Sequence, residues 1–361
     1  MTQSWKQCKN ILIIRADNMG DLIMNGPAIR ALKTTFSSKI TILTSSMAAG
    51  ITPFMPEIDD VVVFDLPWVK AKEVAGSEAI SAIIDELKAK KFDAAIIFTV
   101  FSQNPLPAAM IAYMAGIPLR LAYCRENPYQ LLTDWVPDKE PYTFIQHQVE
   151  RDLNLVRSIG ADTSDFNLKL AIKEEISEKV KKKLQQKGVN LDYPWLIFHT
   201  GVSEKKREYP AEYWVDAAKK LIAEKQYQVL FTGAESEKAG CDLLAEKVGI
   251  NAFSVAGFFT LEEFISLVKL APVVVSVNTG TIHIAAAVGT PVVVLYAQTN
   301  PQHTPWKVPT RVLEFAVEEE SRSKNEVIQQ LYKEVYASSG SMPQPDAIFD
   351  AVNELLNEKG S

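Results

Sequence analysis

Short runs of β-branched and other apolar residues alternate, through most of the chain, with longer stretches in which apolar positions recur every three or four residues. Strands are predicted at Ile11–Arg15, Lys39–Leu43, Val61–Phe64 and Ala94–Thr99. Helices are predicted at Gly26–Phe36, at Ala79–Lys90 with its spaced Ile80, Ile83, Ile84 and Leu87, and at Gln148–Ile159, stopped by Gly160. Strands apolar on both faces, separated by amphipathic helices, point to parallel sheet covered by helix. A polar stretch, Gly160–Lys169, and a charged helix, Lys173–Lys187, then interrupt the pattern. The lysine-rich end of that helix reads as a solvated face whose charge suits a helix C-terminus, an anion site being the less favoured reading. Alternation restarts with strands at Trp195–His199, Gln228–Thr232, Val273–Val277 and Val292–Tyr296. The polar region Val317–Met342 carries a further helix at Asn325–Ala337, and an amphipathic helix, Pro345–Asn357, closes the chain.

This pattern predicts an α/β protein of two Rossmann-like, doubly wound domains, residues 1–170 and 171–342. A C-terminal segment, 343–361, is expected to pack back on the first domain. Such sheets gather ligands at the carboxyl ends of their strands, so the two crevices are expected to face a central cleft. The architecture alone names no reaction.

Composition narrows the classes. A length of 361 residues suits two domains, and 47% hydrophobic with 23% charged residues is ordinary for a globular protein with a sizeable core. A formal charge of -6 argues against a nucleic-acid partner. Cys8, Cys124 and Cys241 are odd in number and far apart, with neither metal-ligand nor disulfide spacing, which fits a reducing compartment. The N-terminus shows no apolar signal-peptide core, and the longest apolar runs fall far short of the roughly 20 residues a membrane span needs.

Four segments carry candidate chemistry. In Val273–Pro291 a buried strand runs into Asn278-Thr279-Gly280-Thr281 and an Ala-rich helix that ends at Gly289. Gly280 admits a ligand to the backbone, and the first helical turn offers free N–H groups and a positive dipole end to a phosphate. Thr279 and Thr281 can add hydroxyl donors, and His283 can either donate or pack; a plain strand–helix turn capped by Thr competes with this reading. In Ile11–Arg30 a strand delivers a polar loop with Gly20, and Asp21 stands at the loop–helix junction. That carboxylate can serve as a general base or cap the helix, the cap being favoured on spacing alone. The segment His199–Trp214 places Ser203, Lys205, Lys206 and Arg207 ahead of a helix led by Pro210, where cations can neutralise a diphosphate. Last, Glu235 or Glu237 follows a strand end at Gly233, a setting in which a carboxylate accepts from a ribose diol.

In this order and spacing the segments resemble glycosyltransferase family 9, the heptosyltransferase family of lipopolysaccharide core assembly. The likeness runs from Ile11 to the C-terminal helix. It is carried by MGDLIMNGPAIRALK, KKREYPAEYW and NTGTIHIAAAVGTPVVVLY, the last similar to the family's D-T-G-x-x-H-x-A-A-A-x-G-T-P. The resemblance implies a GT-B fold and an inverting, metal-independent transfer from a nucleotide-sugar, for which ADP-heptose is the family's best-known donor. No other cofactor is implied.

By this resemblance Asp21, preceded by Gly20, matches the carboxylate that deprotonates the acceptor. Arg207 stands where the family usually has a lysine near the donor phosphates, with Lys206 beside it and Ser203 as a nearby hydroxyl. Glu237, or else Glu235, matches the ribose-binding glutamate, and Phe259 sits where an apolar side chain supports the base. Thr279, Gly280 and His283 match the phosphate-binding turn. Asn278 replaces the family aspartate that contacts the donor sugar, which fits a different donor or reduced activity. The implied acceptor is a lipopolysaccharide-core or other glycan, bound by the first domain and lined by the polar loops Ser102–Pro107 and Tyr123–Asp134. A lipid-linked acceptor would put the protein at the inner face of the cytoplasmic membrane, by peripheral contact. Two rivals share the fold: a sugar-nucleotide epimerase, and a catalytically silent nucleotide-sugar or glycan binder, which Asn278 favours.

Overall fold

The computed structural model describes residues 4–69, 76–202, 204–336 and 340–359. The chain forms two compact units. One runs through Lys169 and also takes Lys324–Leu331; the other takes Leu170–Ser323 and resumes at Tyr332.

The first unit holds six parallel strands: β1 Asn10–Ile14, β2 Lys39–Thr44, β3 Asp60–Val63, β4 Ala94–Ile97, β5 Leu119–Cys124 and β6 Asp134–Pro137. Their order is β3-β2-β1-β4-β5-β6. β1 is the hinge of the topology, with Ile11 registered against Ile40 on one side and Ala94 on the other. The second unit repeats the plan with β7 Trp195–His199, β8 Gln228–Thr232, β9 Ala252–Ser254, β10 Val274–Val277, β11 Val292–Ala297 and β12 Thr310–Phe315. Here the order is β12-β11-β10-β7-β8-β9, and Val274 of β10 registers against Ile197 of β7. In both sheets the winding reverses between the first strand and the fourth, β1/β4 and β7/β10. A ligand crevice is expected outside the carboxyl ends at that reversal.

The central strands are mainly apolar because helices cover both faces; every residue of β10 and β11 is buried, Ser276 included. The in–out alternation of a half-exposed strand is therefore absent there and survives only at the rim. Of the four edge strands, β3 is found by the apolar run Val61–Phe64, while β6, β9 and β12 are missed by the apolar pattern. β6 alternates half-buried and exposed positions, and β12 largely does the same. β5 is broken in sequence by Arg120, yet the strand stays buried because the guanidinium donates to the Leu131 and Gln130 carbonyls at 2.8 and 2.7 Å. Consequently the expected loop Tyr123–Asp134 begins in β5 and ends in β6, and Tyr123 is buried.

The helix Pro345–Lys359 lies within the second unit, with Ile348, Val352 and Leu355 in its core beside Trp214 and Leu221. The segment Lys324–Leu331 belongs with the first unit, where Asn325 donates to the Ser102 carbonyl at 3.3 Å. The helix expected over Asn325–Ala337 spans Glu326–Glu334, and Ala337 lies outside the described residues. Among the described residues, no helix is long and apolar enough to cross a membrane.

Candidate functional site

At the carboxyl end of β1 the chain leaves the sheet through Arg15, Ala16 and Asp17 and enters a short helix, Met19–Met24. Gly20 and Asp21 lie inside this helix, so the polar loop is shorter than the sequence suggests. Arg15 is fully buried; its Nε lies 3.0 Å from Asp17 Oδ2 and its Nη2 2.9 Å from Asp21 Oδ1. The other Asp21 oxygen accepts from the Asn18 backbone N–H at 3.3 Å. The helix-start role weighed for this residue is thus met by one oxygen, while the other is held by Arg15.

Behind these groups a buried polar network rises from the helix Gln148–Arg157. Asp152 accepts from Asn25 Nδ2 at 2.6 Å and Gln148 Nε2 at 2.8 Å. Burial pushes its carboxyl up to about 7, against the pull of Arg15 and Arg151. Arg151 is ion-paired to Asp138 and Glu140 at 2.9 and 2.7 Å and lies 4.3 Å over the Tyr123 ring. Burial likewise raises the Asp17 carboxyl; Arg15 opposes that and the Asp21 charge adds to it. Beside Asp17 a cavity of about 240 Å³ opens between the ends of β1 and β4, with Trp68 on one wall and Ser102, Gln103 and Asn104 on another. None of Arg15, Asp17 or Asp152 stands out in sequence. The one local signal is a charged triplet, Arg15-Ala16-Asp17, ending an apolar strand.

The second sheet collects a different set. After β7, one turn of 3-10 helix, Lys205–Arg207, follows Glu204. Glu204 Oε2 lies 3.2 Å from Arg207 Nη2 and 3.5 Å from Lys206 Nζ. Arg207 Nη1 donates to the Asn278 carbonyl at 2.8 Å, joining the basic turn to the segment after β10. There Thr279 precedes the helix Gly280–Val288, whose C-terminus is closed by Gly289 at φ 80°. Glycine adopts that left-handed conformation without strain. Thr281 and His283 are buried inside the helix, and the His283 ring sits 6.3 Å from His303. The buried Thr279 hydroxyl and the Arg207 Nε have no hydrogen-bond partner. Buried polar groups are rarely left so. Ser203 lies outside the described residues.

The Asn278 side chain turns to β11. Its Nδ2 donates to Thr299 Oγ1 at 3.2 Å and the Ala297 carbonyl at 3.4 Å, and its Oδ1 accepts from Ala297 N at 3.3 Å. An aspartate could not make the two donations. Glu237 Oε2 accepts from Ala234 N at 2.6 Å, and the carboxylate lies against Gly201 at the end of β7. A Cβ on Gly201 would overlap Glu237 Oε1, and one on Gly233 would come within 2.8 Å of Oε2. Glu235 is exposed and rests on Gly257, away from β7. Phe259 is half-buried, with Lys183 Nζ 5.1 Å from its ring. Lys183 also bonds the Phe258 carbonyl at 2.7 Å and Glu263 at 2.8 Å, so it is no simple solvated lysine. Burial opposes ionisation of Glu263, but Lys179, Lys183 and the Thr260 N–H prevail and hold its carboxyl at about 2. His199, hydrogen-bonded through Nδ1 to Thr232 Oγ1 at 2.9 Å, is pushed down to about 4 by desolvation.

Two six-stranded parallel sheets of one order, each with polar groups gathered at its reversal, define a GT-B-like protein. The family model for glycosyltransferase family 9 (heptosyltransferase) matches residues 80–335, and the chain belongs to that family of glycosyltransferases. Lipopolysaccharide heptosyltransferase 2 of Escherichia coli K12 is 26% identical over 305 residues, 82% of this chain and 84% of that protein. Among solved structures, a family 9 glycosyl transferase from Veillonella parvula superposes with a TM-score of 0.79 at 20% identity, over 99% of both chains. The ADP-heptose LPS heptosyltransferase II of Escherichia coli superposes with a TM-score of 0.72 at 21% identity, over 98% of this chain and 100% of that one. At these identities the superpositions speak for the fold.

Proposed function

We propose that this glycosyltransferase moves heptose from ADP-heptose to a lipopolysaccharide-core acceptor by an inverting, metal-independent displacement. The observation that carries the reading is the bond from Arg207 Nη1 to the Asn278 carbonyl. It sets a guanidinium beside the N-terminus of the helix Gly280–Val288, where a departing diphosphate would find both a cation and free backbone N–H groups. The unpartnered Thr279 hydroxyl and Arg207 Nε supply two more donors. Glu237 accepts from the ribose diol, held at the end of β7 by the room that Gly201 leaves. Asp21 takes the acceptor proton. ADP-heptose and lipopolysaccharide are named in the descriptions of the Escherichia coli relatives. Asn278 serves to hold the turn rather than to read the sugar, so its replacement of aspartate gives the silent-binder reading no support.

Calorimetric titration with ADP, UDP and GDP tests the donor half. Preference for ADP is expected; preference for UDP or GDP would move the donor assignment. A transfer assay with ADP-heptose and heptose-deficient core oligosaccharide tests the acceptor half, and no product from a protein that binds ADP would overturn it.

A further inference from the structure

Resting on the reading of Asp21 as base, we infer that Asp17 is a positioning residue: it neutralises Arg15, so that the guanidinium can aim the Asp21 carboxylate without lowering its affinity for a proton. The geometry is a buried carboxylate–guanidinium–carboxylate row. Arg15 is fully buried, the side chains of Asp17 and Asp21 are 13% and 11% exposed, and each carboxylate binds a different nitrogen of the one guanidinium. Asp17 is pinned from the β4 side, since Gln103 Nε2 donates to its Oδ1 at 2.5 Å while Gln103 Oε1 accepts from Val100 N at 3.3 Å.

A lone buried Asp–Arg pair makes a poor base, because an opposite charge at contact distance lowers a carboxyl by roughly 1–3 pKa units. General bases work best with a pKa close to the operating pH. With Asp17 present, the row carries one net negative charge before transfer and none after. As the acceptor oxygen bonds the anomeric carbon, its proton passes to Asp21, and the electron pair of the broken C–O bond leaves with the diphosphate. Proton uptake at Asp21 therefore relieves charge in the row. Without Asp17 it would leave the Arg15 charge exposed in the interior. Other charges face the row from neighbouring elements: Asp152 and Arg151 on the helix Gln148–Arg157, with Asp138 and Glu140 paired to Arg151.

The test follows the Asp21 carboxyl by 13C NMR titration of the full chain, assigned by its loss in Asp21→Asn, alongside pH profiles of kcat/KM from pH 5 to 9. In Asp17→Asn the Asp21 midpoint and the acid limb should both fall by about one unit, with kcat down roughly threefold to tenfold and ADP affinity unchanged. If Asp17→Asn fails to fold, Gln103→Leu, which removes the pinning donor, should move the same midpoint in the same direction by less. An unmoved midpoint with a raised acceptor KM would overturn the inference and make Asp17 an acceptor contact from the wall of the cavity. Loss of transfer in Asp17→Asn with transfer kept in Asp21→Asn would make Asp17 the base. The NMR midpoint needs no acceptor, so failure of the transfer reading would show separately, as a shifted midpoint in a protein that makes no product.

Discussion

The two units wind their six strands in the same order and then furnish the same crevice in opposite ways. At the reversal of the first sheet, Arg15, Asp17, Asp21 and Asp152 are all buried or nearly so, and the charges compensate one another within the protein. At the reversal of the second, Arg207 and Lys206 are partly exposed and share one glutamate, Glu204, while a helix N-terminus and the unpartnered Thr279 hydroxyl stand beside them. The first arrangement is suited to holding a proton, as proposed above; the second is suited to an anion. One topology supports both because the strands fix only where loops converge, and the loops decide the sign and burial of the charge.

Substitutions that cross this division should separate the halves. Asp21→Asn should cut transfer by about 10³-fold while leaving ADP affinity unchanged by calorimetry; persistence of transfer would remove Asp21 from the mechanism. Arg207→Ala should lower transfer by about 10²-fold and also weaken ADP, because it acts on the phosphates in the ground state as well. Equal ADP affinity in that variant would contradict the second site. Asn278→Asp removes both donations to β11 and Thr299 and should lower stability by about 2 kcal/mol in urea denaturation. An unchanged midpoint would mean the amide does not hold the turn. Gly201→Ala drives a Cβ into Glu237 and should weaken ADP about tenfold with the acid limb of the rate profile unmoved.

A smaller effect distinguishes the halves by pH. The Asp152 carboxyl, raised from 3.8 to about 7, binds a proton in the folded state that the unfolded chain has lost, so its contribution is complete below pH 4 and fades as pH rises through 7. His199 runs the other way: lowered from 6.5 to about 4, it resists protonation when folded, so stability is lost as pH falls from 6.5 through 4. Between pH 7 and pH 5, hydrogen exchange corrected for intrinsic rates should slow in β1 and quicken in β7. Exchange moving in one direction in both strands would break the comparison, and Asp152→Asn should flatten the response of β1 alone.

What the sequence determined by itself was local. Apolar runs marked β1, β2, β3, β4, β7, β8, β10 and β11; all of these but the edge strand β3 are buried along nearly their whole length, which favours apolar residues. The NTG turn and its Gly289 stop were legible for the same reason, each being a backbone demand met by neighbours in the chain. Three of the four edge strands, β6, β9 and β12, were not, since partial exposure let polar residues into them, whereas the edge strand β3 kept its valines; Arg120 hid β5. Nor were the pairings that give the candidate sites their chemistry. Arg207 and Asn278 are 71 positions apart and Asn25 and Asp152 are 127. Glu237 reaches Gly201 only because β7 and β8 are neighbours. Periodicity reports whether a residue is buried. Which charges meet there depends on strand order, and only the folded topology supplies that.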